Sequence, residues 1–400
     1  MTSDSFATLG VDRDLLEALT RGGIEEPFRI QALAIPDILA GHDVCGRAKT
    51  GSGKTLAFGL PMVQRLKPSQ PGRPPGLVLV PTRELAVQVA SVLRPLAKVR
   101  NLPVVTVYGG SSMGKQIDSV RRGTGIVVAT PGRLIDLIDR KIIRLDTVEM
   151  VTIDEADQMA DMGFLPQVRR IMRQVPTDHQ TMLFSATLDG QVGALVAAYM
   201  TDPVRHEIAS DVQTVENMEH RFLKVHPMDK VKVAGEIARH NKRTLMFVRT
   251  KIACDRLAAA LADQGIDALA IHGDLHQRIR ERSLDRFATG SAPVLVATNV
   301  AARGLHIDDV DVVIHFDPPD DPKTYLHRSG RTARAGVAGL VVTLVEWDQV
   351  NEVLGIQRRA GLNVPIVKMF SNDERLGDLT SWQPPEELAP FRSTRRRRRF

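Results

Sequence analysis

Cysteine is scarce in this chain. Its 400 residues carry two, Cys45 and Cys254, far apart and with no Cys-x-x-Cys spacing. That excludes a disulfide framework and a cysteine-built zinc site, and it suits a reducing compartment. Aromatic residues are also few, with three Tyr and two Trp. No apolar run approaches the ~18 residues that read as a membrane span. The opening stretch, "MTSDSFATLGVDRD", is polar and acidic and does not read as a secretory signal. A cytoplasmic protein with no membrane association is expected.

Positive charge is nearly absent as an excess outside the carboxyl end. The net charge is +6, from 53 basic and 47 acidic residues. The last ten residues, "FRSTRRRRRF", hold six arginines and no acid, so the rest of the chain is neutral. Such a block is expected to be disordered and self-repelling. It reads either as a solubilising end or as a tether to a phosphate backbone, where each neutralised phosphate releases counterions.

What is present is an alternation. Short β-branched runs occur in the first half as "LVLV" at Leu77, "VVTV" at Val104, "IVVA" at Ile126, "MVTI" at Met150 and "TMLF" at Thr181. In the second half they occur as "TLMFV" at Thr244, "ALAI" at Ala268, "VLVA" at Val294, "VVIHF" at Val312 and "LVVTLV" at Leu340. Helical patterns such as "RELAVQVASVLRPLAKV" and "ACDRLAAALADQG" separate them. Strands alternating with helices predict an α/β fold in two tandem domains, each a parallel sheet flanked by helices. The expected division is a first domain over residues 1–200, a linker over 201–219, a second domain over 220–366, and an extension with the arginine-rich tail over 367–400. Two such domains on one linker are expected to form a cleft. "KPSQPGRPPG" (67–76) reads as a surface loop within the first domain.

Two motifs carry chemistry. "AKTGSGKT" (48–55) resembles a phosphate-binding P-loop, although the strict pattern begins with Gly where this chain has Ala48. Gly51 and Gly53 let the backbone turn so that amides point at phosphate oxygens. Lys54 supplies a point charge, and Thr55 can place a hydroxyl on Mg²⁺. The bland reading is a Gly/Ser turn ahead of a helix. The second motif, "VTIDEADQMA" (151–160), puts Asp154, Glu155 and Asp157 within four residues. Buried carboxylates this close are costly unless paired or bound to a cation. A P-loop nucleotidase needs an acid at the end of a neighbouring strand to hold Mg²⁺, and Asp154 fits that role. Glu155 can accept a proton from an attacking water or orient it, and Asp157 more plausibly fixes neighbouring groups. The bland reading here is a solvated acidic turn.

With "DEAD" at 154–157 behind "AKTGSGKT", the chain resembles a DEAD-box RNA helicase over roughly residues 6–366. The resemblance implies two RecA-like domains, ATP and Mg²⁺ as cofactors, and RNA held by its backbone with little sequence specificity. "EEPFRIQ" resembles the Q motif, in which Gln31 would read the adenine edge, with Arg29 beside it and Phe6 near the base. The implied ATP site also takes in Ala48, Lys49, Thr50, Gly51, Ser52, Gly53, Lys54, Thr55, Gly304 and His306. "PTRELA", "GG" and "TPGR" resemble backbone-binding motifs, implying RNA contacts from Pro81, Thr82, Arg83, Gly110, Thr130 and Arg133. Thr82 and Thr130 are also good helix caps, and both roles stay open. "HGDLHQRIRER" and "ATNVAARGLHI" imply contacts from Gly273 and Thr298 in the second domain. "SAT" implies that Ser185 and Thr187 couple nucleotide state to RNA, together with Asp157, His327 and Arg328. "HRSGRTARAG" places Arg328, Arg331 and Arg334 at three-residue spacing, which on one helix shares a face. By resemblance, Arg331 and Arg334 would stabilise charge on the transferred phosphoryl group, beside Lys54, Asp154 and Glu155 as the catalytic set.

Ile24, Asn299, His306 and Ala333 depart from the family pattern, and His306 alone stands at a ligand contact that the family makes, where an Asp is usual. Its imidazole can take over the contact to the ATP ribose, Asp308 can reach in, or the contact is absent. With so few Tyr and Trp, stacking of bases on an aromatic platform is not expected to dominate RNA binding. The resemblance implies a monomer working in ribosome assembly or RNA decay. Two rival readings stay open at this point, a nucleotide-gated RNA clamp that scarcely unwinds and a DNA translocase.

Overall fold

Runs of four or five β-branched and aliphatic residues, with no polar alternation, form strands buried on both faces. In the computed structural model they build two parallel sheets. The structure describes residues 5–48, 52–188, 190–208, 218–299, 310–332, 339–385 and 390. The chain divides into two units, Met1–Ser210 and Asp211–Phe400.

The first unit contains β1 (Val44–Arg47), β2 (Gly76–Leu79), β3 (Val104–Val107), β4 (Ile126–Ala129), β5 (Met150–Asp154), β6 (Gln180–Ser185) and β7 (Val204–Glu207). They lie in the order β3-β4-β2-β5-β6-β1-β7, all parallel. Successive side chains on a strand point to opposite faces, so each strand feeds two cores. Val78 and Val80 join Phe58, Val89 and Leu93 on one side. Leu77 and Leu79 join Leu134, Met159 and Ile171 on the other.

The second unit repeats the plan with β8 (Met218–Lys224), β9 (Thr244–Val248), β10 (Ala268–Ile271), β11 (Val294–Thr298), β12 (Val312–His315), β13 (Gly339–Val345) and β14 (Ile366–Lys368). Their order is β10-β11-β9-β12-β13-β8-β14.

The predicted boundaries need two corrections. Part of the stretch expected to be a linker is sheet: β7 pairs with β1 from Val44↔Val204 to Arg47↔Glu207, and β8 begins at Met218. Residues 209–217 lie outside the described residues. The extension after residue 366 is also not a loose end throughout. Met369, Leu376 and Leu379 are buried in the second unit's core, with Trp382 packed against it. Arg221 on β8 donates through Nε to the Leu379 carbonyl at 2.9 Å, and the Trp382 ring lies within 5.9 Å of the Arg221 guanidinium. The arginine block at 395–399 lies outside the described residues.

Candidate active site

Parallel strands deliver their carboxyl ends to one edge of the sheet, the edge at which open α/β sheets bind ligands. In the first unit β1, β6 and β5 are neighbours, so the residues that follow them are brought together. β1 runs into "AKTGSGKT", and the Lys54–Arg65 helix starts at its end. A helix N-terminus presents unpaired amides and suits an anion. Ala48 is buried, and its N–H donates to the Ser185 carbonyl at 3.1 Å. Lys49, Thr50 and Gly51 lie outside the described residues.

Lys54 is 5% exposed, yet its ammonium is well compensated. Its Nζ donates to Glu155 Oε1 at 2.5 Å and lies 3.8 Å from Asp154 Oδ1. Burial alone would lower the lysine pKa, but Glu155 and Asp154 more than offset it and the pKa is raised. Asp154 is pushed up to about 6, chiefly by burial, with Lys54 pulling the other way. The acidic cluster is therefore an interior one, not a solvated turn. Glu155 sits in the left-handed region at φ +53°, between the end of β5 and the Ala156–Asp161 helix. That backbone turn places its carboxylate against Lys54. Such conformations are uncommon for non-glycine residues and cluster at functional sites.

Ser185 ties the pieces together. Its hydroxyl accepts from the Asp157 N–H at 3.2 Å and from the Thr187 N–H at 3.4 Å, while its carbonyl takes the Ala48 N–H. The loops after β1, β5 and β6 thus share one serine.

The Q-motif residues reach the same corner. Gln31 is buried; its Nε2 donates to the Gly53 carbonyl at 2.9 Å, and its Oε1 accepts from the Phe28 N–H at 2.9 Å. An amide has two donors and two acceptor lone pairs, so each end keeps capacity for a second partner. Arg29 is exposed at the start of the Arg29–Leu39 helix. Phe6 is placed differently from expectation. It is 3% exposed and closed into the core, with no free face for a base. The aromatic that is open beside Gln31 is Phe28, 62% exposed, which sequence reasoning missed. Its signal was its position: Phe is a poor residue to precede a helix start.

Gly53 is required by this packing. Its φ is +82°, and a Cβ there would collide with Gln31 Nε2 and meet Phe28 Cδ2 at 2.7 Å. Gly53→Ala is expected to cost about 1–2 kcal/mol for the left-handed backbone and to displace Gln31 from the P-loop. Thermal unfolding and ATP titration check this: a Tm and an ATP affinity equal to wild type would contradict it.

A second cluster lies toward the other end of the same edge, after β2, β3 and β4. Pro81 is buried. Thr82 caps the Arg83–Val99 helix by accepting from the Leu85 N–H at 3.3 Å. Thr130 precedes the Pro131–Asp139 helix without a side-chain capping bond, so only Thr82 fills the capping role. Arg83 pairs with Glu84 at 2.9 Å. A Cβ on Gly110 would stand 2.6 Å from the Arg83 Nη1, so that glycine makes room for the guanidinium. Arg133 donates to the Ser111 carbonyl at 3.2 Å. Amides, hydroxyls and guanidiniums gathered at one edge suit phosphate and sugar contacts, which position a nucleic acid without reading its sequence.

In the second unit Thr298 ends β11 and Gly273 follows β10. Arg328 and Arg331 do not lie on one helix: the Pro322–Ser329 helix stops before Gly330. Arg328 is buried, donates through Nη1 to the Asp317 carbonyl at 2.9 Å and through Nε to Asn299 Oδ1, and stacks 5.0 Å from the Phe247 ring. His327 is exposed. Arg331 is half-buried in the turn beyond the helix, its N–H reaching the Arg328 carbonyl at 3.3 Å. Gly304, His306 and Arg334 lie outside the described residues.

Comparison with known proteins gives concordant results. A family model described as DEAD/DEAH box helicase matches residues 28–195, and a helicase conserved C-terminal domain matches 229–336. The DEAD-box ATP-dependent RNA helicase CshA of Bacillus subtilis is 39% identical over 93% of this chain and 76% of its own length. CshA of Geobacillus kaustophilus is 38% identical over 93% of this chain and 80% of its own. Among solved structures, S. cerevisiae Dbp5 bound to RNA and ADP BeF3 is 30% identical, with a TM-score of 0.78 over 92% of this chain and 96% of that one.

Proposed function

The chain belongs to the DEAD-box family of ATP-dependent RNA helicases, and on that footing we propose which residues bind ATP, split it and couple it to RNA. The observation that carries the assignment is the buried contact of Lys54 with Glu155 and Asp154 at the start of the helix that follows β1. When ATP enters, Lys54 exchanges carboxylate for phosphate oxygens. Glu155 is then released to act as the base. The attacking water bonds to the terminal phosphorus as the bond to the ADP oxygen breaks. The water proton goes to Glu155, and the electron pair leaves with ADP.

Mg²⁺ suits the donors present. Asp154 is a buried carboxyl that a neighbouring cation would relieve, and Thr55 offers a hydroxyl in the first turn of the Lys54–Arg65 helix. With phosphate oxygens these make the oxygen set that Mg²⁺ takes. When bound, the ion neutralises charge on the phosphates.

Ser185 is the proposed coupling point, because its one side chain and carbonyl hold the P-loop entrance, the acidic turn and Thr187. RNA is held by the first unit at the Thr82, Arg83, Gly110, Thr130 and Arg133 cluster, and by the second unit at Gly273 and Thr298. Nucleotide turnover at the Lys54, Asp154 and Glu155 corner drives local, non-processive separation of short duplexes. The setting we infer is the cytoplasm, with a monomer serving ribosome assembly or RNA decay. Crosslinking to RNA in cells, followed by sequencing of the bound RNA, distinguishes those two pathways.

Nucleotide choice tests the site. The spare donor and acceptor of Gln31 suit the N6/N7 edge of adenine, and Phe28 supplies an exposed ring beside it. Gln31→Ala is expected to weaken ATP binding and to relax discrimination against GTP. It also removes the tether to Gly53, so ATP affinity should fall by about tenfold, the worth of one to two hydrogen bonds. Wild-type protein that hydrolyses GTP as well as ATP would remove Gln31 from this role.

A further inference from the structure

The first sheet ends at β3, whose outer side carries no neighbouring strand among the described residues. In an extended strand the N–H and C=O of one residue point to the same side, and successive residues alternate. The carbonyls of Pro103 and Val107 accept from Ile126 and Thr130 of the β4 segment, at 2.9 Å each. Odd-numbered residues therefore face β4, and the N–H and C=O of Val104, Thr106 and Tyr108 face outward. At Tyr108 the outward pair is already answered by a side chain: Gln116 Nε2 donates to the Tyr108 carbonyl at 2.9 Å, and Gln116 Oε1 accepts from the Tyr108 N–H at 3.3 Å. A side-chain amide here copies what an added strand would do. Val104 and Thr106 have no such partner among the described residues.

The open edge is the floor of a groove of about 540 Å³. Arg94 stands on one side, and Lys115 and Arg122 of the Met113–Arg122 helix stand on the other. No acidic residue lines it. Arg122 donates to Ser119 at 3.0 Å, and none of the three cations makes an ion pair among the described residues.

We propose that this edge is a docking site for an extended, acidic peptide segment of a partner protein. The segment adds to the sheet as an eighth strand on Val104 and Thr106, and its carboxylates meet Arg94, Lys115 and Arg122. An unpaired strand edge is a template for strand addition, in which main-chain hydrogen bonds give affinity and flanking side chains give specificity. The backbone ladder argues for a peptide over a nucleic acid, which cannot supply alternating N–H and C=O groups at strand spacing. The charge argues for acid, and it argues against the chain's own arginine-rich end as occupant. The site lies at the opposite side of the sheet from the P-loop strand β1, so a partner held there leaves the nucleotide corner uncovered.

A fluorescein-labelled octapeptide of alternating glutamate and valine, titrated against the full chain by fluorescence anisotropy, tests this. Saturable binding is expected. It should weaken by about tenfold or more in the Lys115→Glu/Arg122→Glu double variant, since like charges then face each other. It should also be lost when alternate peptide amides are N-methylated on the ladder side, a change that leaves charge intact. The same charge variant should keep wild-type RNA-stimulated ATP turnover. No saturable binding, or binding indifferent to N-methylation, overturns the proposal. So does loss of RNA affinity in the charge variant without peptide binding, which would make the groove part of the RNA track.

Discussion

Glu155→Gln is expected to leave ATP and RNA binding near wild type while RNA-stimulated ATP turnover falls by about 10²–10⁴-fold, the range a positioned general base contributes. The substitution is well suited to the site. A glutamine carbonyl still accepts from Lys54 Nζ, which now lies 2.5 Å from Glu155 Oε1. The left-handed turn at residue 155 is kept at no new backbone cost, because both side chains branch alike beyond Cβ. Asp154, the proposed Mg²⁺ ligand, is untouched. The expected signature is thus a loss in kcat with ATP affinity preserved, read by steady-state turnover and by nucleotide titration. Turnover within a few-fold of wild type would remove Glu155 from the role of base.

Arg331→Ala is expected to lower RNA-stimulated turnover by about 10³–10⁵-fold, the range for an arginine that stabilises charge on a transferring phosphoryl group. Arg328→Ala should behave differently. Arg328 is buried with the Asp317 carbonyl, Asn299 and the Phe247 ring as partners, so its removal should lower the Tm. Hydrogen bonds to a charged group contribute about 1.5–3 kcal/mol. Measuring Tm and turnover on both variants separates the two arginines. A destabilised Arg331→Ala with normal turnover per folded molecule would contradict its assignment.

Five strands of each sheet were legible because they are compact apolar runs; most are buried on both faces, and the edge strands β3 and β10, which are half-buried, keep the same composition. The remaining four were not. β7 reads "VRHE" and lies at an edge with alternate residues exposed. β14 is three residues long. β1 is short and interrupted by Gly46. β8 reads "MEHRFLK" and looks like a surface segment, yet it is interior to its sheet. It tolerates the polar residues because His220 Nδ1 meets the Tyr325 hydroxyl at 2.6 Å and Arg221 meets the segment around Leu379 and Trp382. Those partners are remote in sequence, so no local pattern announces them.

The candidate site was legible to a similar degree. The P-loop and the acidic turn could be assigned to one site in advance, since a nucleotidase needs both; the direct contact of Lys54 with Glu155 could not. The shared role of Ser185 could not, because it rests on bonds between the ends of three strands. The spacing of Arg328 and Arg331 misled for a local reason. The helix that carries Arg328 ends at Ser329, and an i, i+3 rule applies only within one helix. Phe6 was misplaced for a tertiary reason: the segment before the first helix folds Phe6 into the core, while Phe28 stays outside at the helix start.

ATP hydrolysis by this chain is expected to be spent on separating RNA strands. That claim is tested most directly by strand displacement from a short RNA duplex carrying a single-stranded overhang, followed with a labelled strand. With ATP and Mg²⁺ the wild-type chain should release the strand, and Glu155→Gln should bind the same duplex without turning over or releasing strands in multiple cycles. ATP hydrolysis with tight RNA binding but no strand release by the wild-type chain would contradict the claim and mark the protein as an RNA clamp.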